Sequence, residues 1–295
     1  MLVQGSECSI VVKTSHREID IPYSDETLRE AVEMLQEEAS IEGDGVCRGL
    51  RKSGGAKGCI VTPLTLGTAP ILLYLAMGAV GSPVFVPETK NLFKYLLTNT
   101  PLEDTEHFHL IQDRGGMRNE QLAMSNERKI YEYCRVQGFE LRILREETIK
   151  LKLEICGVCA PMYYPNTDTF IWEAGERFNG DNVTYRINGQ EYTNIYGLTL
   201  LSKKRGGTIT ELWIKRSLQH GSEIPNDIEE IVVTAKLLRD KYEYRYYGTF
   251  RITIKKLVLI SDETEVNATG AVISPLRFYV TGRVQADVFT SGEVL

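Results

Sequence analysis

The chain has 295 residues, 42% of them hydrophobic and 25% charged, and its 40 acidic against 34 basic residues leave a net charge of −6. This composition excludes a disordered chain, and the acidic balance argues against a protein that grips nucleic acid, whose binding domains usually have a pI above about 9. No stretch approaches the roughly 18 consecutive apolar residues of a membrane span, and the N-terminal M-L-V-Q-G-S-E-C does not read as a secretory signal.

Alternation from Ser9 to Val12 and around Ile19 and Ile21 predicts short strands. Ser24, followed by Asp25, Glu26 and Thr27, reads as a helix cap with acids in the first turn. Leu28, Ala31, Val32, Met34 and Leu35 continue at helical spacing, so a helix is expected near 25–41, stopped by Gly43 and Gly45. Residues 46–68 read as a hairpin, Val46 to Arg51 and Gly58 to Thr65, with Gly54-Gly55 at its tip. The run from Pro70 to Val80 is the longest apolar stretch and predicts a short buried helix near 70–79, opened by its proline. From Gly81 to Thr105, prolines surround N-L-F-K-Y-L-L, which reads as a long excursion carrying one small element.

Strands then dominate. His107 to Ile111 is a short one, and Tyr131 to Ile143 pairs with Glu147 to Cys156 around the turn R-E-E. In the second arm Ile149, Leu151, Leu153 and Ile155 alternate with Lys150, Lys152 and Glu154, so one face is buried and the other wet. Asn188-Gly189 is a strong hairpin signal between Tyr185–Ile187 and Tyr192–Leu201. Further strands are expected at Ile209–Leu218, Ile228–Leu238, Tyr242–Ile260 with a bend near Gly248, and Leu276–Phe289. The fold class is mainly β, a sandwich or barrel with one or two short helices. Tyr131-Glu132-Tyr133 recurs as Tyr242-Glu243-Tyr244, an echo consistent with two related β lobes, 1–160 and 161–295.

Catalytic motifs are weak. In Gly54-Gly55-Ala56-Lys57-Gly58 the lysine is followed by Gly58 and Cys59, so no hydroxyl is placed for magnesium as in a phosphate loop. Gly43-Asp44-Gly45 misses the dinucleotide fingerprint. Cys156 and Cys159 have metal-ligand spacing and, with His107 and His109, could complete a zinc site, although structural reduced thiols suit a chain of this length without an export signal better. Lys203-Lys204-Arg205 and Lys255-Lys256 read as solvated turns, offset by Glu211 and by Asp262, Glu263 and Glu265. No Ser/His/Asp order or H-E-x-x-H is present, and the reading is a non-enzyme with no cofactor.

The hairpin Y-E-Y-C-R-V-Q-G-F-E-L-R-I-L-R-E-E-T-I-K-L-K-L-E-I-C-G, residues 131–157, resembles the tail tube (major tail) proteins of long-tailed bacteriophages and phage-derived particles. Upstream, the Gly-bounded strand Val46–Leu50, the strand Gly58–Leu66, the small helix Ile71–Met77 and H-F-H-L-I follow in the order that family shows. The resemblance covers residues 8–160 as an arrangement and the remainder only as a β pattern. It implies a tail-tube-type β-sandwich whose subunits form stacked rings, hexameric or, with two lobes, trimeric and pseudo-hexameric. The tube is the conduit for DNA delivery in the virion tail, assembled in the bacterial host cytoplasm, with tape-measure and other tail proteins as partners, DNA only in transit and no membrane.

On this reading Leu92, Phe93, Tyr95, Leu96 and Leu97 are a candidate inter-subunit arm. Glu146, Glu147 and Glu154 are candidate lumen acids, which would repel phosphate and let DNA slide. The alternatives are a monomeric β-sandwich binding module of a baseplate or adhesin, or a small Cys/His metal-binding protein.

Overall fold

The computed structural model describes residues 8–14, 18–35, 50–78, 84–85, 92–114, 127–157, 162–165, 176–204, 207–217, 223–237, 248–263, 265–266 and 272–291. The fold is mainly β. Strand β1 (Cys8–Lys13) pairs with β2 (Glu18–Ile21), and β3 (Asp25–Glu26) and β4 (Arg29–Leu35) line one edge of β5 (Leu50–Pro63). Helix α1 (Ala69–Met77) follows, then β6 (Val84–Phe85), β7 (Leu92–Thr98), β8 (Phe108–Arg114), β9 (Glu127–Leu144), β10 (Lys150–Gly157) and β11 (Met162–Pro165). The remaining strands are β12 (Val183–Ile187), β13 (Gln190–Tyr192), β14 (Ile195–Lys203), β15 (Ile209–Ser217), β16 (Asp227–Lys236), β17 (Thr249–Asp262), β18 (Glu265–Val266), β19 (Val272–Val280) and β20 (Val284–Ser291).

Two expectations near the N-terminus are overturned. Residues 25–26 and 29–35 of the expected helix are strands, and 36–41 lie outside the described residues. Ser24 does not cap. Its N–H and its hydroxyl both donate to the Val61 carbonyl, while the Thr27 N–H goes to the Cys59 carbonyl. The long edge of β5 needs backbone partners, and supplying them outweighs a modest helical preference. Likewise Gly54-Gly55 is no hairpin tip, because β5 runs unbroken through it. The register against β4 slips between Glu30 and Val32, and Gly55, with φ 82°, absorbs the extra residue as a bulge.

β9 is the hub of the sheet. Its Leu141 lies between Leu151 of β10 and Leu200 of β14, and its Ile130 between Ile111 of β8 and Met162 of β11. On one side the sheet runs through β10 to β5, and on the other through β14, β15, β19, β17 and β16 to β12. The hairpin at Asn188-Gly189 forms as expected, with φ of 50° and 83° at its two turn residues. The strand expected over 276–289 is interrupted: β17 pairs with β20 up to Ile254 and with β19 from Leu257. At the switch Lys256 has φ 55° and its carbonyl accepts from the Thr281 N–H. Strands from both sides of residue 160 thus pair directly, β9 with β14 and β7 with β20, and they share one core.

That core surrounds α1, which forms as expected. The residues of I-L-L-Y-L-A-M favour helix, Pro70 suits its first turn, and every residue except Tyr74 is buried. An apolar helix enclosed this way must have its end carbonyls satisfied by neighbours. The Met77 carbonyl accepts from Thr100 N–H at 2.8 Å, Thr100 Oγ1 at 2.9 Å and Lys204 Nζ at 3.3 Å. Beside it Asn99 Nδ2 donates to Ser202 Oγ and Thr210 Oγ1, at 2.8 and 3.1 Å, tying β7 to the β14–β15 hairpin.

Lys204, expected in a solvated turn, is therefore a buried cation, only 2% exposed. Exposed Lys203 matches that expectation, and Arg205 lies outside the described residues. Burial pushes the Lys204 ammonium down from 10.5 to about 8. The unfolded chain then holds more protons between those values, so stability attributable to this group rises with pH from about 8 to 10.5. Below pH 8 the buried charge costs about 3 kcal/mol at 1.36 kcal/mol per unit. Lys204→Met should accordingly raise stability at pH 7 by about 2 kcal/mol, after loss of one hydrogen bond. Its advantage in denaturant unfolding should shrink between pH 8 and 10, and an advantage independent of pH would contradict the assignment.

Candidate interaction surface

Alternation along β15 buries Thr210, Leu212 and Ile214 and turns Ile209, Glu211 and Trp213 outward. Register carries this outer face onto the neighbouring strands. Glu211 lies beside Tyr279, which lies beside Val258, and Trp213 lies beside Arg277, which lies beside Ser261. Ile260 falls where the β17–β19 register slips between Leu259 and Ser261. Ile209, Trp213, Val258, Ile260 and Tyr279 are each 39–49% exposed, a band of aromatic and branched side chains in water.

A polar clamp holds its centre. Arg277 Nη2 donates to both oxygens of Glu211, at 2.8 and 2.9 Å, and Nε donates at 3.2 Å. The guanidinium lies 5.1 Å from the centre of the Trp213 ring, and Trp213 Nε1 donates to Glu211 at 3.4 Å. Arg277's hydrogen bonds hold the Glu211 carboxyl below its ordinary range, and the same pairing raises Arg277. The indole is thus fixed before any partner arrives, which lowers the ordering cost of binding.

The residues expected from sequence are scattered. The stretch Leu92–Thr98 is a strand of the chain's own sheet, paired with β20, and Leu97 is buried in the chain's own core. Leu97 is therefore unavailable as part of a projecting arm, and Leu96 is half-buried. Glu146 and Glu147 are exposed at the β9–β10 turn, where the Asp181 carboxylate accepts from the Glu146 N–H at 2.9 Å. Glu154 lies far along β10 from that tip, among Arg29, Lys57 and Lys152. The structure thus joins Glu146 and Glu147 and separates Glu154 from them.

His107 and His109 flank the Tyr133 ring, with centroids 6.1 and 5.7 Å away, and Cys159 lies outside the described residues. Among the described residues no group of three or more His, Cys, Asp or Glu could hold a metal ion. Cys59 and Cys156 are half-buried and Cys134 is buried. Of the acids expected to offset Lys255-Lys256, Asp262 instead pairs with Arg216 at 3.3 Å, and Lys255 pairs with Glu230 at 3.8 Å. No helix among the described residues is long and apolar enough to cross a membrane.

The chain matches no protein-family model, and no curated protein matches it. The outer face of β15, β19 and β17 was invisible in the sequence because its members are up to 70 residues apart and meet only through register. Because Arg277 favours the charged form of Glu211, the pair's contribution to stability is present above the unfolded carboxyl value and lost as pH falls through the folded one. In an NMR titration Glu211 should ionise below 4.5, and Arg277→Gln should return it to the ordinary range. An unshifted Glu211 in the parent chain would show that the clamp is absent in solution.

Proposed function

We propose that the chain is a structural subunit that self-assembles into stacked rings, forming the hollow tail tube of a bacteriophage or phage-derived particle. The observation that carries this reading is the exposed apolar band on β15, β19 and β17 with its fixed Trp213. Water-exposed aromatic and branched residues clustered in this way mark a surface that another molecule covers. Strand edges support the same reading. Among the described residues β2, β4, β6 and β13 each pair on one side only, and such edges are templates for a neighbouring chain. Head-to-tail contact between unlike surfaces of identical subunits closes a ring when the rotation allows, and rings stack into a tube.

In such a ring the conduit must not bind DNA. Glu146, Glu147 and Asp181, partly offset by the neighbouring Arg145, give a tip of net negative charge suited to repelling phosphate, whereas Glu154 sits among cations and is poorly suited to it. The proposed partners are other copies of the chain and further tail proteins, with DNA only in transit.

Sedimentation velocity and negative-stain microscopy of the full chain test this reading. Rings or hollow rods are expected at high concentration. Trp213→Lys with Tyr279→Lys should leave folded monomers, since both side chains are exposed and their loss should cost the fold little. Parent protein that stays monomeric at every concentration removes the proposal and favours a monomeric binding module.

A further inference from the structure

A second feature lies on the opposite wing of the sheet and is independent of assembly. Arg29 and Lys57 are direct partners across β4 and β5, so both side chains leave the same face. Like charges placed directly opposite one another are destabilising. Among the described residues, neither they nor Lys152 on β10 form an ion pair. All three line one depression of about 350 Å³, where Glu154 is the only acid among the described residues. That carboxylate reaches over Gly138 of β9, its Oε2 3.0 Å from where a Cβ would stand. Among the described residues the lining therefore carries a net charge of +2, in a chain whose total is −6.

Its wall is built by a close approach. A Cβ on Gly58 would lie 2.5 Å from the Thr27 carbonyl oxygen, so only glycine lets the Thr27–Arg29 segment lie down on β5. Thr27 is then pinned twice to Cys59: its N–H donates to the Cys59 carbonyl at 3.0 Å, and its Oγ1 accepts from the Cys59 N–H at 3.1 Å. This pinning holds Arg29 against Lys57. Thr27 and Gln137 add uncharged hydrogen-bonding groups to the lining.

We propose that this depression binds a small phosphate-bearing molecule, its phosphate seated between Arg29, Lys57 and Lys152. A phosphate group is close to dianionic at neutral pH and accepts from several donors at once. It neutralises the +2 field and relieves the Arg29–Lys57 repulsion. The volume lies at the lower end of the roughly 300–1,000 Å³ typical of small-molecule sites, so it accommodates a phosphate and a short attached group.

Isothermal titration calorimetry of the full chain with sodium phosphate and, separately, glycerol 3-phosphate tests this at pH 7.5 and fixed ionic strength, with sodium chloride as the blank. Saturable binding of at least one is expected. Lys57→Gln and Lys152→Gln should each weaken it by about tenfold, the loss of one charge-assisted contact, while Lys57→Arg retains it. Tighter binding of glycerol 3-phosphate identifies an ester as the ligand class, and tighter or equal binding of inorganic phosphate identifies the free ion. Thermal melts of the variants check that each is folded, and either lysine variant alone suffices if the other is not. No saturable heat with either compound, or unchanged affinity in the folded lysine variants, overturns the proposal.

Discussion

One apolar helix is buried inside a sheet whose described strand pairings are all antiparallel, and the polar contacts at its two ends decide how distant segments meet. Apart from the Tyr74 hydroxyl, which donates to Glu106, helix α1 offers its surroundings nothing polar but its ends, and an unpaired buried carbonyl would cost about 1–3 kcal/mol. Its N-terminal turn is closed by Thr65 and Thr68, whose hydroxyls meet at 2.8 Å. At its C-terminal end Met77 draws donors from Thr100, just after β7, and from Lys204, just after β14. These segments are more than 100 residues apart, and the helix end is where they are held together. Lys204 accepts the cost of burial because the negative end of the helix dipole and a carbonyl oxygen face it.

With the inner face so occupied, the strands' outer residues are free to carry other properties, and they divide by wing. The β15–β19–β17 wing presents Trp213, Tyr279, Val258 and Ile260 around the Arg277–Glu211 clamp. The β4–β5–β10 wing presents Arg29, Lys57 and Lys152 around a depression. The first is suited to contact with a large apolar surface, the second to a small anion. Neither demands anything of the core, so each can be altered without unfolding the chain.

Some of this was legible in the sequence. Ile149, Leu151, Leu153 and Ile155 lie on one side of a strand and are all buried, and Asn188-Gly189 turns where its left-handed preference requires. The helix at Ala69–Met77 was equally clear, because a short apolar run of helix formers behind a proline has few other uses. What misled was local: Leu28, Val32 and Leu35 sit at helical spacing, but the backbone there is claimed by the edge of β5. The Gly54-Gly55 pair looked like a turn and is a bulge, a distinction set by the partner strand. Lys204 looked wet because its neighbours in sequence are basic, yet Met77, which it contacts, lies 127 residues away. The apolar band and the cationic depression were hidden for the same reason: both are products of register.

The proposal that the β15–β19–β17 face is covered by another copy of the chain is tested most directly by hydroxyl-radical footprinting of Trp213 and Tyr279 across a concentration series. Both side chains should be reactive in dilute protein and become protected together as concentration rises, while exposed Tyr133, on β9, keeps its reactivity. Equal reactivity of Trp213 and Tyr279 at every concentration would mean that this face stays in water, and the account of self-assembly through it would be wrong.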